Sequence, residues 1–263
     1  MTDREAFVRF MTTGQPARPA NLANIVAINQ GHRPLTMDEP VARPLPPRVV
    51  AGLAAQGHLV IDTRGSAQFG AGHVPGALNV DLSSPEFEQR VGWVAADEVP
   101  LVLVLNDDAE APRAMHALAF VGLDARVAGA LAGGMAAWAA EALPVTGLPQ
   151  VDVHTLHARL AHDPSLRVLD VRERSEWAAG RIRGVQQVSY KEIAAGRGGD
   201  AAPPAGGTLA VICQGGSRSA ASLLRRAGVE RLVNVEGGMS AWVAAGLPVE
   251  TGIACGDDPA SAG

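Results

Sequence analysis

A chain of 263 residues has room for two domains of ordinary size, and 47% hydrophobic against 19% charged residues is the balance of a folded globular protein rather than a disordered one. A formal net charge of −5, with no Lys/Arg cluster interleaved with aromatics, excludes a surface built to track nucleic acid, and no apolar run approaches the roughly 20 residues that cross a bilayer. The two cysteines, Cys213 and Cys255, are too few for a disulfide framework, and the start MTDREAFVRF lacks a basic segment followed by an apolar core, so a reducing cytoplasmic location is expected, in which cysteine serves chemistry or nothing.

Along the chain, residues 1–44 form a leader with two weak helical patterns, around Glu5–Met11 and Ala20–Asn29, followed by the Pro-rich link DEPVARPLPP. Beyond the leader, one pattern is written twice. LVIDTRGSAQFGAGHVPGALNV (59–80) sets Asp62, Arg64, Phe69, Gly72 and Gly76 opposite Asp170, Arg172, Trp177, Gly180 and Gly184 of RVLDVRERSEWAAGRIRGVQQV (167–188) without a gap. LAGGMAAWAAEALPV (131–145) recurs as VEGGMSAWVAAGLPV (235–249). The Gly and Pro of TGLPQVD (146–152) mark the boundary near 148, giving a first unit over 45–147, a second over 148–252 and a flexible tail over 253–263.

In the second unit, strands are expected at Arg167–Val171, Gln186–Ser189, Thr208–Cys213 and Arg231–Val235. Helices are expected at Val153–Leu160, Arg174–Ala178, Ser217–Ala227 and Gly238–Ala244. Strands alternating with helices predict an α/β fold, each unit a mostly parallel sheet flanked by helices, with ligands beyond the C-terminal strand ends. Cys213 falls at such an end, in VICQGGSRSAASLLRRAG (211–228). Ser217 is a suitable N-cap for the next helix and Gly228 a suitable stop. Gly215 and Gly216 leave consecutive N–H groups able to curl around an anion, the helix start adds partial positive charge, and Arg218 adds a full one. These features favour thiolate over thiol at Cys213, where a free cysteine would titrate near about 8.5. They identify it as a candidate nucleophile in an anion-binding pocket.

CQGGSRS resembles the active-site loop of rhodanese sulfurtransferases, and the LDVRE…E stretch (169–176), GRIRG (180–184) and GGMSAW (237–242) resemble that family's other landmarks in the same order. The resemblance covers both units and implies two rhodanese-like domains. It implies that Cys213 takes a sulfane sulfur from thiosulfate or a low-molecular-weight persulfide, holds it as a persulfide and passes it to cyanide or a thiol. No cofactor or metal is implied. By the same resemblance Gln214, Gly215, Gly216, Ser217 and Arg218 form the substrate cradle, with Arg218 as anion anchor, and Asp170, Arg172 and Ser219 support it. The Gly-Gly-Ser-Arg loop differs from the Cys-Gly-Ser/Thr-Gly loop associated with 3-mercaptopyruvate users. Phosphatases and arsenate reductases of similar fold place five residues between Cys and Arg, whereas four stand between Cys213 and Arg218. A purely non-catalytic interaction module is the other alternative.

In the first unit the strand end reads LVLVLNDDAEAPRAM (101–115), so the nucleophile's position falls on Asn106 or Asp107 with acids after it, and this copy is expected to be inactive, with a structural or docking role. The leader EAFVRFMTTGQPARPANLANIVAINQG (5–31) resembles the segment that joins a metallo-β-lactamase-fold domain to rhodanese domains in fusion proteins. The His-x-His-x-Asp-His motif of that domain is not in the sequence, so two expectations stand side by side: a partner of that fold as a separate chain, or a chain that is the sulfurtransferase part of a split or truncated fusion. Cys255 reads as an idle thiol of the tail, His154 and His157 as a solvated helix face, Trp138 and Trp242 as core, and His73, opposite Arg181, as turn structure.

Overall fold

The computed structural model describes residues 3–12, 21–33, 39–95, 98–196, 206–216 and 219–252. Two helices, α1 (Arg4–Thr12) and α2 (Leu22–Asn29), precede a unit of β1 (Pro44–Leu45), α3 (Pro47–Ala55), β2 (Leu59–Asp62), α4 (Ser66–Ala71), β3 (Leu78–Asn79), α5 (Phe87–Val94), β4 (Leu101–Val104), α6 (Ala111–Ala119), β5 (Val127–Leu131) and α7 (Gly134–Ala140). The pattern then repeats as β6 (Gln150–Val151), α8 (Val153–His162), β7 (Leu166–Asp170), α9 (Arg174–Ala179), β8 (Gln186–Gln187), α10 (Tyr190–Ala194), β9 (Thr208–Ile212), α11 (Ser219–Arg226), β10 (Leu232–Val235) and α12 (Gly238–Ala244).

Each unit builds one five-stranded sheet, in the order β1-β5-β4-β2-β3 and β6-β10-β9-β7-β8, and every pairing is parallel. The central strands LVID and LVLV are buried at every position, as expected for parallel strands covered on both faces by helices. Alternate residues go to opposite layers. Val60, Val102 and Val104 join Leu169, Leu209 and Val211 of the other unit in one continuous cluster, while Ile61 and Leu103 on one side and Val168 and Ile212 on the other belong to separate outer clusters. The two sheets therefore share an inner core.

The units are also joined by directed contacts. Ser222 Oγ of α11 accepts the buried Asn79 N–H of β3 at 3.3 Å, Arg226 donates to Gly76 O at 3.3 Å, and Lys191 of α10 lies 5.3 Å from the Trp93 ring centroid of α5. The leader is not independent of this frame: Asn21 is buried and donates to Val121 O at 3.3 Å, and Asn24 donates to Gly122 O at 2.7 Å.

Both repeats close in the same way. His73 exchanges backbone hydrogen bonds with Thr146 at 2.9 and 3.0 Å, and Arg181 with Glu250 at 2.9 Å each way. The His73 ring stacks on Phe69 at 3.7 Å, and burial above all lowers the His73 pKa. Trp138 and Trp242 are core residues whose indole N–H groups donate to Pro144 O and Pro248 O at 2.9 Å.

The expected second-unit strands are present within one or two residues at their ends, and α12 spans the expected residues. The structure adds edge strands β1 and β6 and helices α5 and α10. Edge strand β6 lies inside the stretch read as a linker, where two residues are too few to show a period. Among the described residues no helix is long and apolar enough to cross a membrane.

Candidate active site

Cys213 follows the last residue of β9 and is half-buried. Its Sγ accepts the Gly216 N–H at 3.1 Å, a bond that strengthens when the sulfur carries charge. The loop is shaped from behind by the start of α12: Cys213 O accepts the Met239 N–H at 2.8 Å and Gln214 O the Ser240 N–H at 2.9 Å. Orphan donors at a helix start are thus satisfied by the two carbonyls that precede the glycines. The close approach requires Gly238, at φ +56°, because a Cβ there would lie 2.2 Å from Cys213 O. It also requires Gly216, at φ +82°, where a Cβ would lie 2.7 Å from Gly237 N. Asn234, buried on β10, donates to Gly216 O at 3.2 Å and fixes the far end of the turn.

The other residues singled out in the sequence fall in two groups. The Gln214 side chain is tied into the frame, accepting from Arg172 Nη1 at 3.3 Å and donating to Ser240 Oγ at 3.0 Å. Asp170 and Arg172 are 1% and 6% exposed and form a bidentate pair, Nε to Oδ1 at 3.0 Å and Nη2 to Oδ2 at 2.6 Å. The remaining Arg172 donors go to Gly180 O at 2.7 Å and Glu176 O at 3.4 Å, so this arginine ties β7 to α9 and the loop. Gly215 is exposed and lines the cavity beside the sulfur. Ser217, Arg218, the Ser219 side chain and Cys255 lie outside the described residues, so the anion-anchor reading of Arg218 and the N-cap reading of Ser217 do too.

Cys213 opens onto a cavity of about 120 Å³ lined by Arg90, Arg172, Glu173, Tyr190 and Gln214 among others. Tyr190 begins α10, and burial above all pushes the phenol up to about 12, so it is a neutral donor at physiological pH. Glu173 faces Lys191 at 3.1 Å, and the Glu176 carboxylate accepts the Glu173 N–H at 3.1 Å in a capping box. Sequence reasoning did not reach Arg90, Tyr190, Asn234 or the role of Gly238. Only the recurrence of Gly-Gly-Met next to a strand end pointed toward Gly238.

In the first repeat the register corrects the sequence reading. Asp62 pairs with Val104 as Asp170 pairs with Ile212, so the counterpart of Cys213 is buried Leu105, not Asn106 or Asp107. Asp108 then stands opposite Gly216, and its carboxylate accepts the Gly133 N–H at 3.0 and 3.2 Å. Glu110 accepts the Asn106 N–H at 3.2 Å. The ion pair persists: Arg64 Nη2 meets Asp62 Oδ2 at 2.6 Å and Gly72 O at 2.8 Å.

A family model, the rhodanese-like domain, matches residues 46–141 and again 152–245. The chain belongs to the rhodanese-like family. Both of its rhodanese-like domains keep the Asp–Arg pair and the Gly-Gly-Met turn, and only the second presents a cysteine at the end of its central strand. Solved structures similar to it include a rhodanese-related protein from Thermoplasma volcanium, 30% identical over 39% of this chain and 97% of that one, with a TM-score of 0.34. A thiosulfate sulfurtransferase from Pseudomonas aeruginosa is 21% identical over 78% of this chain and 42% of that one, with a TM-score of 0.33. A protein of unknown function from Rhodopseudomonas palustris, named a "Possible Tyrosine Phosphatase", is 21% identical over 39% of this chain and 85% of that one, with a TM-score of 0.34. No curated protein matches the chain.

Proposed function

We propose that this protein is a sulfurtransferase in which Cys213 of the second rhodanese-like domain carries the sulfur and the first domain is catalytically silent. The Cys213 thiolate attacks the outer sulfur of thiosulfate, the S–S bond of the donor breaks, and sulfite leaves with the electron pair. A low-molecular-weight persulfide reacts the same way, its thiolate leaving. The resulting Cys213 persulfide, negative on its outer sulfur, gives that sulfur to cyanide or a thiolate, and the Cys213 thiolate is regenerated. A protein of metallo-β-lactamase fold is a candidate partner for such a product, on the leader's resemblance alone.

The observation that carries this reading is the 3.1 Å hydrogen bond from the Gly216 N–H to Sγ, in a loop whose neighbouring carbonyls are held by α12. A fixed amide donor stabilises negative sulfur without reorganisation during transfer. Intact mass spectrometry after incubation with thiosulfate, glutathione persulfide and 3-mercaptopyruvate tests it. The parent gains one sulfur atom from one of the first two donors, and Cys213→Ser gains none. A parent that gains no sulfur from any donor defeats the proposal. Turnover of an aryl phosphate in its place would assign phosphatase chemistry instead.

A further inference from the structure

The Cys213 cavity is not built by the second repeat alone. One of its walls is Arg90, on α5 of the first repeat. That helix is held against the site: Trp93, three residues on and so on the same face, lies 5.3 Å from the Lys191 ammonium of α10.

The charges around the cavity are unequally engaged. Arg172 gives its donors to Asp170, Gly180, Glu176 and Gln214. Glu173 is paired with Lys191, and Glu176 caps α9. Arg90 has only a long contact, Nη2 to Glu86 at 3.5 Å, while its buried Nε has no hydrogen-bond partner among the described residues. A buried guanidinium N–H without an acceptor is costly and asks for one. Neutral Tyr190 lines the same cavity.

We infer that Arg90 of the first repeat is a substrate-binding residue of the Cys213 site, holding the anionic oxygen group, sulfonate or carboxylate, of the sulfur donor. The inference rests on the sulfurtransferase reading for the identity of its ligand. It gives the silent repeat a role in the other repeat's chemistry: Arg90 accounts for donor affinity, and Cys213 with its loop accounts for the transfer itself. A guanidinium matches a planar or pyramidal oxyanion with paired N–H groups, which an ammonium does only partly.

The test measures sulfur loading of Cys213 against donor concentration in the full chain, for the parent, Arg90→Ala and Arg90→Lys. Thiosulfate, glutathione persulfide and an uncharged alkyl persulfide are the donors. Loss of one charge-assisted contact raises the half-saturating thiosulfate concentration on the order of tenfold in Arg90→Ala, with the saturated rate within about threefold of the parent and partial rescue in Arg90→Lys. A matching rise with glutathione persulfide assigns the carboxylate as a ligand too, whereas a rise with thiosulfate alone restricts Arg90 to sulfonate. Loading by the uncharged persulfide stays within about twofold of the parent. Unchanged half-saturation for both anionic donors, or equal loss with all three donors, overturns the inference. Slowing of Cys213 alkylation by sulfite provides a readout without sulfur transfer. Protection in the parent and its loss in Arg90→Ala uphold Arg90 even where no donor loads the cysteine, and protection equal in both variants overturns it.

Discussion

The two repeats share a sheet order, an Asp–Arg pair and a Gly-Gly-Met turn, and they part company at one strand end. In the second, Cys213 stands where the first has Leu105, and Gly216 where the first has Asp108. The consequence is a different set of amide contacts at the same strand end. In the first repeat the Asp108 carboxylate occupies the Gly133 N–H from within, and Glu110 occupies that of Asn106. In the second, glycine replaces the acid, the loop closes directly on Gly237, and the Gly216 N–H is given to sulfur. The loop residues thus decide whether backbone N–H groups at this strand end meet the protein's own carboxylates or the Cys213 sulfur. The ion pair, present with and without the cysteine, belongs to the frame.

That division can be broken most forcefully at the frame itself. Asp62→Ala and Asp170→Ala each leave an arginine buried without its carboxylate and should each destabilise the chain by about 3–5 kcal/mol, read by urea unfolding. A large effect in the second repeat and none in the first would show that the pair is not shared scaffolding. At the turns the repeats should diverge. Gly238→Ala drives a Cβ to 2.2 Å from Cys213 O and should cost about 1–3 kcal/mol together with sulfur loading, whereas Gly134→Ala, 3.2 Å from Leu105 O, should cost less and leave loading intact. Mass spectrometry and unfolding on the same samples separate the two effects.

Leu105→Cys places a thiol at the strand end of the first repeat with Asp108 and Glu110 in place. It should gain no sulfur in a Cys213→Ser background, and loading there would show that the acidic loop is no barrier. The smallest effect concerns Tyr190, the only tyrosine in the chain. Its ultraviolet titration should have a midpoint near 12. Since the folded state holds that proton more tightly than an unfolded tyrosine near about 10, stability falls as pH rises through that interval. A midpoint near the unfolded value would show the phenol to be solvated.

Much of this is readable in the residues themselves. Duplication, the α/β layout and the strand-end position of Cys213 come from the gapless match of Asp62–Gly76 with Asp170–Gly184 and from apolar runs that keep their period. The exact counterpart of Cys213 is not readable, because LVLVL continues apolar through Leu105 and only the pairing of Asp62 with Val104 fixes where the strand stops. Edge strands β1 and β6 are two residues each, among prolines and glycines, and leave no alternation to detect. Arg90 is a lone arginine on a short helix, and what sets it apart, a wall of another repeat's cavity, exists only once the two cores merge. Asn234 is hidden for the same reason: its partner Gly216 lies on a different strand's loop.

With the Gly216 N–H on Sγ, the second repeat's loop is proposed to stabilise negative sulfur. The pH dependence of Cys213 alkylation, measured on its own peptide in the folded chain and in the urea-unfolded chain, reports this directly. Half-maximal reactivity at a lower pH in the folded chain than in the unfolded one is the predicted result. An equal or higher pH in the folded chain would contradict it.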